Sequence, residues 1–344
     1  DRASLFIGPG WLLERKVRFT RRGQTKMVND ITRTAGIDTG KDRLDVAVHG
    51  GGDPFTVDNT PTGWQSLAAR LRQEGVQRVG IEASGSYERG VARHLQAAGF
   101  TVVVLQPLQV RAFAKLHLRR AKSDRIDAVL IAACTHLLDP QETKAADPRL
   151  DGLCDQLTFI EQVEADIARL KTRLEHIRDQ RLRDMVTADI ENLKARRADE
   201  LRRLIAALHS HADLARRFTL VLSVPGIGER TALALVLRMP ELGAVSREQA
   251  AALAGLAPFV QQSGRWTGET HIAGGRSRLR RSLYAAALPA AFRWNAALKA
   301  LYRRLTERGK PHTVALVACA RKLLVFANTV VARGTPWTER SAEG

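Results

Sequence analysis

The stretch Lys122–Ala128 reads KSDRIDA, and it lies in a segment whose apolar residues recur at helical spacing. Asp124 and Asp127 are three residues apart, so we expect them to project from the same face of one helix. Two carboxylates held this close repel each other unless a cation lies between them. The pair is therefore either part of a metal site or a solvated helix face whose acids pair with Lys122 and Arg125, and the residues upstream distinguish the two.

Upstream, residues 31–150 alternate strand and helix signals in the order strand, strand, strand, helix, strand, helix, strand, helix. The first strand, Thr34–Ile37, is followed by Asp38, and the fourth, Arg78–Ile81, is followed by Glu82. This order, with an acid after each of these strands, is the layout of an RNase H-like α/β domain with a mixed sheet. In that fold the first and fourth strands are neighbours, so the two acids should lie side by side.

The helix that carries Asp124 and Asp127 can pack beside Asp38 and Glu82 and complete a ring of four carboxylates. Hard oxygen ligands on rigid elements are those that Mg²⁺ prefers. Two such ions about 4 Å apart can activate a nucleophile and stabilise the leaving oxygen of a phosphodiester. The sequence therefore predicts a site for Mg²⁺ with two ions.

Three further acids in this region have ordinary structural interpretations. Asp42 is expected in a turn, and Asp45 is expected to face solvent. Glu88 is expected in the first turn of a helix, where the helix dipole favours a carboxylate.

The composition indicates a polyanionic partner. The chain has 344 residues and carries 54 Lys plus Arg against 36 Asp plus Glu, a formal net charge of +18. Because the basic residues are spread through the folded segments instead of forming a tail, we expect nucleic acid to be the partner, with binding that weakens steeply as salt rises.

The remaining composition favours a cytoplasmic protein. Cys134, Cys154 and Cys319 have no metal-ligand spacing, which favours buried thiols in a reducing compartment. We find no run of about 18 apolar residues and expect no membrane span. Residues 1–30 are interpreted as a leader or disordered segment, with Met27 as a candidate initiator, and residues 336–344 as a tail.

Residues 151–215 change character, because apolar residues there repeat at alternating steps of three and four. This pattern predicts a coiled-coil helical hairpin whose tip is the break at Asp179–Asp184. Its use would be self-association or a reach toward another subunit, or it is a simple spacer.

Residues 216–335 are predicted to be mainly helical. The run Val224–Gly228 reads VPGIG, a helix-hairpin-helix pattern in which Gly226 and Gly228 permit a tight turn whose free amides can hold a phosphate. An irregular polar insert, Pro258–Gly275, follows. It leads into a helix that opens on arginines, which we expect to offer guanidinium groups to phosphate. The predicted nucleic-acid-binding side chains of this region are Arg265, Arg276, Arg278, Arg280 and Arg281.

Taken together, these motifs resemble the DEDD transposases of bacterial insertion sequences. These are bridge-RNA-guided recombinases with a RuvC-like N-terminal domain, a coiled-coil hairpin and a C-terminal transposase domain. The resemblance spans about residues 35–335 and rests on GID at 36–38, GIEASG at 80–85, KSDRIDA at 122–128, VPGIG at 224–228, GLAP at 255–258, SG at 263–264 and GGR at 274–276.

The resemblance implies that Asp38, Glu82, Asp124 and Asp127 bind metal, and that a serine in the C-terminal domain attacks DNA. We assign that serine to Ser263, which stands in the polar insert after the GLAP motif. Two other serines are rivals: Ser277 begins a helix, where serine ordinarily caps, and Ser282 lies inside that helix. The resemblance further implies a covalent phosphoserine link to DNA and a homo-oligomer, a dimer or tetramer, in which acids and serine meet from different subunits. It also implies a structured guide RNA that pairs with donor and target DNA.

Three other functions fit parts of the sequence. A hydrolytic Holliday-junction resolvase-like nuclease would use the same acids to activate water, leaving Ser263 a loop residue. A sugar-kinase or actin-like ATPase is suggested by the run Ile37–Gly40, which resembles a phosphate-binding hairpin, but that fold requires a second glycine-rich phosphate loop and leaves the basic charge unused. In a non-catalytic nucleic-acid binder, the four acids would oppose phosphate unless metal neutralised them.

Overall fold

A computed structural model describes residues 33–116, 124–138, 142–143, 147–259, 262–263, 266–267 and 271–338. The chain divides into two compact units, Asp1–Ala146 and Asp147–Gly344. The helical hairpin, which the sequence marks as a region of its own, falls within the second unit. The predicted leader, Lys122, Arg265 and the end of the predicted tail lie outside the described residues.

The first unit is built on a mixed five-stranded sheet in the order β3-β2-β1-β4-β5. Its elements are β1 (Thr34–Thr39), β2 (Arg43–Val48), β3 (Phe55–Asp58), α1 (Pro61–Gln73), β4 (Arg78–Glu82), α2 (Glu88–Ala97), β5 (Thr101–Leu105), α3 (Pro107–Leu116) and α4 (Asp124–Leu138). Strand β1 pairs antiparallel with β2 and parallel with β4, as the strand order in the sequence predicts. This architecture fits an RNase H-like α/β domain.

The two faces of this sheet pack differently. One face buries large apolar residues such as Ile37 and Ile81 in a core shared with α1 and α2. The other face is covered by α4, which lies directly on the strands at two glycines. A Cβ at Gly36 would overlap backbone atoms of Ala128 and Ala132. Small residues therefore allow α4 to approach β1 more closely than ordinary side chains would permit.

The second unit is mainly helical, with two short strand pairs. Its elements are α5 (Arg149–His176), α6 (Gln180–His209), α7 (Ala212–Leu222), α8 (Glu229–Arg238), α9 (Arg247–Leu253), β6 (Pro258–Phe259), β7 (Gln262–Ser263), β8 (Trp266–Thr267), β9 (His271–Ile272), α10 (Ser277–Pro289), a π-helical segment (Ala290–Trp294), α11 (Ala296–Glu307) and α12 (His312–Arg333). The long helices α5 and α6 pack on each other along much of their length.

The connection between α5 and α6 is shorter than the predicted break. Asp179 caps α6 by accepting a hydrogen bond from the Leu182 amide at 2.9 Å. The Arg183 guanidinium donates to the carbonyl of Ile177 at 2.8 Å and so closes the end of α5. Asp184 already lies inside α6. The apolar pattern fails there because the exposed tip has little surface to bury, while the helix itself continues.

Helix α12 bears on the expectation that no segment spans a membrane. Among the described residues it is the one helix long and apolar enough to do so by length and composition, with 50% of its most apolar stretch buried. Its buried side chains, including Leu316, Cys319 and Leu323, belong to the main core of the second unit. The apolar composition of α12 is therefore explained by its place in this core.

Candidate active site

Two of the predicted acids lie at the same edge of the sheet. The parallel register of β1 and β4 pairs Ile37 with Ile81, and the next residue of each strand is Asp38 or Glu82. Because side chains alternate along a strand, each acid shares a face with the glycine two residues before it, which is the face that α4 covers. Both acids are half-buried.

The direction of α4 brings its first turn to this edge. Near the end of α4, the His136 ring stacks on His49 with centroids 4.3 Å apart. The His49 amide donates to the Thr34 carbonyl at 2.8 Å, so this stack lies beside the start of β1. Ala128, two turns earlier in α4, lies against Gly36. The helix therefore runs antiparallel to β1 and begins near the end of the strand that carries Asp38.

The predicted pair Asp124 and Asp127 occupies that first turn of α4. Asp124 is the first residue of the helix, and its side chain lies outside the described part of the structure. Asp127 is half-buried. The backbone thus gathers four acidic positions at one edge. We name this set of Asp38, Glu82, Asp124 and Asp127 the acid edge.

A fifth acid on the same face was missed by sequence reasoning. The antiparallel register of β1 and β2 pairs Asp38 directly with Asp45, so the two share a face. Asp45 is half-buried and accepts a hydrogen bond from the Thr56 hydroxyl at 2.7 Å, whereas the sequence predicted a solvent-facing residue. The Gly40 amide donates to the Arg43 carbonyl and closes a two-residue turn between β1 and β2. This turn fixes the register of the two strands, so identifying it in the sequence would have revealed the pairing of Asp38 with Asp45.

The other two acids of this region match their predicted roles. Asp42 is exposed in the turn between β1 and β2. Glu88 is the first residue of α2, and its carboxylate accepts a hydrogen bond from the Ser84 amide at 3.1 Å.

The acid edge has the carboxylate oxygens that a hard cation prefers as ligands. Its described side chains do not form a closed metal site. Within the ranges that the structure describes, no group of three or more His, Cys, Asp or Glu is arranged to hold a metal ion. Carboxylate oxygens carried by strand ends and a helix start are nevertheless suitable ligands for a divalent cation.

The insert that carries the candidate nucleophile is more regular than predicted. Ser263 in β7 pairs antiparallel with Trp266 in β8, and β6 pairs antiparallel with β9. The insert was predicted to be an irregular polar loop. A glycine after two strand residues is a hairpin signal that this prediction overlooked. The side chain of Ser263 lies outside the described residues.

The two rival serines lie in α10. Ser277 is its first residue and is exposed, but the cap position is occupied by Arg276, without a side-chain capping bond. The expectation that Ser277 caps the helix is therefore wrong. Ser282 is half-buried inside α10, as predicted.

The arginines at the start of α10 are mostly engaged in contacts within the unit. Arg276 forms a two-pronged ion pair with Glu241, with N–O distances of 2.6 and 2.8 Å. Arg280 donates to the carbonyl of Gly274 at 2.6 Å. Arg281 is exposed and makes no hydrogen bond or ion pair with the described residues. Among these residues, Arg281 is therefore the one whose guanidinium group is left available, and its binding of phosphate stays a prediction.

Arg278 belongs to a cluster that sequence reasoning missed entirely. The carboxylate of Glu161 in α5 accepts hydrogen bonds from Arg278 at 2.8 Å, from Arg230 at 2.8 Å and from Arg238 at 2.6 and 2.8 Å. Burial raises the pKa of Glu161, but the bonds from Arg238, Arg230 and Arg278 outweigh it and hold that pKa at about 2. This arginine cluster joins α5, α8 and α10, and no local sequence signal announces it.

The two glycines of the VPGIG turn have different roles. Gly226 has a φ of 97°, and a Cβ there would overlap the side chain of Ala290, so glycine is required for folding. Gly228 is the exposed cap residue of α8. Gly228 is thus the member of the pair placed at an accessible helix start, where anions are favoured.

Comparisons with known proteins place both units in one family. Residues 35–182 match a transposase family model of the DEDD IS110 type, and residues 218–303 match the transposase IS116/IS110/IS902 family. The chain is 25% identical to the pilin gene-inverting protein of Moraxella bovis. The alignment spans 321 residues and covers 90% of this chain and 98% of that protein. The pilin gene-inverting protein of Moraxella lacunata gives the same values.

A third relative covers a shorter stretch. An uncharacterized 43.6 kDa protein of insertion element IS110 from Streptomyces coelicolor is 32% identical over 124 residues, 36% of this chain and 30% of that protein. The family matches include the acid edge, the VPGIG turn and α10. The chain therefore belongs to the DEDD transposases of the IS110 type, enzymes that cut and rejoin DNA.

Proposed function

We propose that this transposase cuts DNA with a serine nucleophile that works together with metal held at the acid edge, and that a guide RNA selects the sites. The observation that carries the proposal is the convergence of Asp38, Glu82 and the first turn of α4 at one edge of the sheet. Four acids in a chain of net charge +18 that acts on DNA make sense when a cation offsets their repulsion of phosphate.

Asp38, Glu82, Asp124 and Asp127 would hold the metal, which we propose to be two Mg²⁺ ions. Bound Mg²⁺ supplies Lewis-acid chemistry: it neutralises charge on a phosphate and lowers the pKa of a hydroxyl near it. The protein contributes rigid placement, because α4 rests on Gly36 and Gly80 instead of on mobile side chains.

Ser263 would perform the covalent step. Its hydroxyl loses a proton, and its Oγ attacks the scissile phosphorus. The P–O bond to one deoxyribose breaks, and the departing oxygen takes up a proton. The phosphoserine link conserves the bond energy, so the hydroxyl of a second strand can reverse the step without ATP. We propose that Ser263 and the acid edge meet from different subunits of a dimer or tetramer.

The other proposed partners follow from charge and from the second unit. Donor and target DNA and a structured guide RNA would bind through basic groups that include Lys122, Arg125, Arg265 and Arg281. The exposed Gly228 amide region would contact a phosphate in the manner of a helix-hairpin-helix.

The α5–α6 hairpin would serve as a coiled coil in self-association. The site of action would be the cytoplasm. The Moraxella relatives are named for inverting pilin genes, and we propose a similar cutting and rejoining reaction for this chain.

A covalent-adduct assay tests this proposal. The full chain, with the RNA that copurifies with it, is incubated with donor and target DNA and Mg²⁺, and denatured gels are scored for protein bound to labelled DNA. We expect an adduct with the wild type and with Ser277→Ala and Ser282→Ala, but not with Ser263→Ala. An adduct that persists in Ser263→Ala assigns the nucleophile elsewhere. Free DNA ends without any adduct would favour the hydrolytic resolvase-like alternative.

A further inference from the structure

The π-helical segment ends in three consecutive exposed residues, Phe292, Arg293 and Trp294. Trp294 is 63% exposed and Phe292 is 46% exposed. Large aromatic side chains are costly to leave in water, so two exposed rings carried by one short segment indicate a surface that another molecule covers.

This segment is held in place from both sides. The Asn295 amide donates to the Ala290 carbonyl at 3.0 Å, a bond that spans five residues and defines the π-helical turn. The side chain of Asn295 is buried; it caps α11 by accepting from the Leu298 amide and donates to the Pro225 carbonyl at 3.0 Å. The backbone that carries the rings is therefore fixed to the VPGIG turn. Such π-helical turns are frequent at functional sites.

Packing within the unit does not account for Trp294. Within the described residues, its ring makes no aromatic contact and its indole N–H makes no hydrogen bond. By contrast, the indole of Trp64 donates to Asn59 at 2.8 Å, and the ring of Trp337 lies 4.5 Å from that of Phe326. Trp294 thus differs from two other tryptophans of the same chain that have internal partners.

Phe292, two residues before Trp294 in the chain, begins a row of rings on the surface. The Phe292 ring lies 4.9 Å from that of Tyr302, which lies 5.7 Å from that of His312. The Tyr302 hydroxyl and His312 Nδ1 are hydrogen-bonded at 2.6 Å, which fixes the orientation of both rings. We name the surface of Phe292, Arg293, Trp294, Tyr302 and His312 the aromatic platform.

The charge around the aromatic platform is strongly positive. Residues 288–314 contain six Lys or Arg and one acid, Glu307. The six basic residues, all exposed, are Arg293, Lys299, Arg303, Arg304, Arg308 and Lys310. Glu307 faces Arg303 in a loose exposed pair at 3.7 Å, which leaves the excess positive charge in place. A second copy of this basic chain would be repelled here, whereas a polyanion would be attracted.

We propose that the aromatic platform binds an unpaired DNA strand, with bases stacked on Trp294 and Phe292 and phosphates held by Arg293 and the basic residues of α11. Proteins that bind single strands share two features: exposed aromatic rings on which bases stack, and basic side chains along the path of the phosphate backbone. An enzyme that cuts and rejoins DNA exposes unpaired nucleotides while strands exchange. The proposal requires neither the serine, nor the metal, nor a guide RNA.

Fluorescence anisotropy with a labelled oligothymidine and the full chain, without divalent metal, tests the platform. We expect Trp294→Ala to weaken binding about tenfold, because the stacking of one base on the indole ring is lost. Trp294→Phe should retain most of the affinity. Arg293→Gln should make binding less dependent on salt. Phe159→Ala is the matched control, since Phe159 is an exposed ring, 41% accessible, on α5 outside the platform.

Four results would overturn the proposal. Trp294→Ala could bind oligothymidine as the wild type does, or it could lose duplex DNA binding to the same extent. Oligouridine could bind more tightly than oligothymidine with the same dependence on Trp294, which would make RNA the occupant. Trp294→Ala could change the oligomeric state, which would make a second copy the occupant.

A second measurement does not depend on any variant. An oligonucleotide that carries 5-iododeoxyuridine is photo-crosslinked to the wild-type chain, and the modified residue is found by mass spectrometry. We expect the crosslink at Trp294 or Phe292. Crosslinks confined to other residues contradict the proposal. The anisotropy assay contains no divalent metal and scores no cleavage, so its outcome is independent of whether Ser263 is the nucleophile.

Discussion

The acid edge and the arginine cluster show two ways to place charge in one chain. In the first unit, acids are gathered by close backbone packing, because Gly36 and Gly80 let α4 lie on the strands. In the second unit, three arginines of α8 and α10 share the carboxylate of Glu161, and one of them, Arg230, also pairs with Glu164 at 3.3 Å. The first arrangement depends on shape, because the packing of α4 on the strands requires no ionised group. The second depends on ionisation and should respond to pH.

The largest loss of stability is expected for a substitution that disrupts the close packing of α4 on β1. In Gly36→Ala, the new Cβ meets backbone atoms of α4, which cannot rotate away. We expect the first unit to lose about 3 kcal/mol or more, at or above the upper end of ordinary overpacking. Hydrogen exchange in β1 and α4 measures this loss. Gly52→Ala is the control, since a Cβ there has nothing within 4 Å. Equal protection in the two variants would contradict the packing argument.

Removing the charge of Glu161 tests the other arrangement. Glu161→Gln leaves three guanidinium groups around a neutral side chain, and we expect the second unit to lose about 3 kcal/mol. Hydrogen exchange in α8 and α10 should report this loss. The control is Glu191→Gln on α6, where an exposed pair with Lys194 at 2.7 Å should contribute less than about 1 kcal/mol. Similar losses in both variants would show that the cluster is no stronger than a surface pair.

The arginine cluster should also make the second unit acid-sensitive. The pKa of Glu161 is about 2 in the folded chain, below its ordinary value of 4.5. The contribution of this carboxylate is therefore complete above pH 4.5 and is lost as pH falls toward 2. We expect a loss of about 2 kcal/mol by pH 3 in the wild type, and a flatter profile in Glu161→Gln. Denaturant unfolding of both proteins at several pH values measures the difference, and parallel profiles would contradict it.

A smaller pH effect is expected in the first unit. Burial and the neighbouring His136 lower the pKa of His49 below its ordinary value of 6.5. The unfolded chain then binds a proton more readily than the folded one, so stability should fall slightly as pH drops below 6.5. His136→Asn should reduce this slope, measured by thermal unfolding between neutral and mildly acidic pH. A steeper slope in the variant would show that the stacked pair does not cause the effect.

The sequence predicted the first unit well because its signals are local. Buried alternation marked the strands, and Asp38 and Glu82 could be placed because each directly follows a strand in a known order. Helix α3 was not predicted. Asp45 was misplaced because register was not deduced from the turn. Glu161 could not be found, since its partners lie 69, 77 and 117 residues away and long-range ion pairs leave no periodic pattern.

In the second unit, helix ends were predictable where capping chemistry is local. Ser246 followed three residues later by Gln249 is a capping-box pattern in the sequence, and both hydrogen bonds of that capping box are present at the start of α9. The strand pairs of the insert were missed because each strand has only two residues, too few for a periodic signal. The exposure of Trp294 could not be predicted from the sequence either, since an aromatic residue in an apolar helical run is ordinarily buried.

The role of the acid edge is tested most directly by metal-dependent DNA cleavage with Asp38→Asn. Asp53→Asn serves as the control, because Asp53 is an exposed acid in the loop after β2. Strand cleavage is measured for both variants with Mg²⁺ and with Mn²⁺, after thermal unfolding has shown that both fold like the wild type. We expect no detectable cleavage by Asp38→Asn and normal cleavage by Asp53→Asn. Cleavage by Asp38→Asn at the wild-type rate would contradict this role of the acid edge.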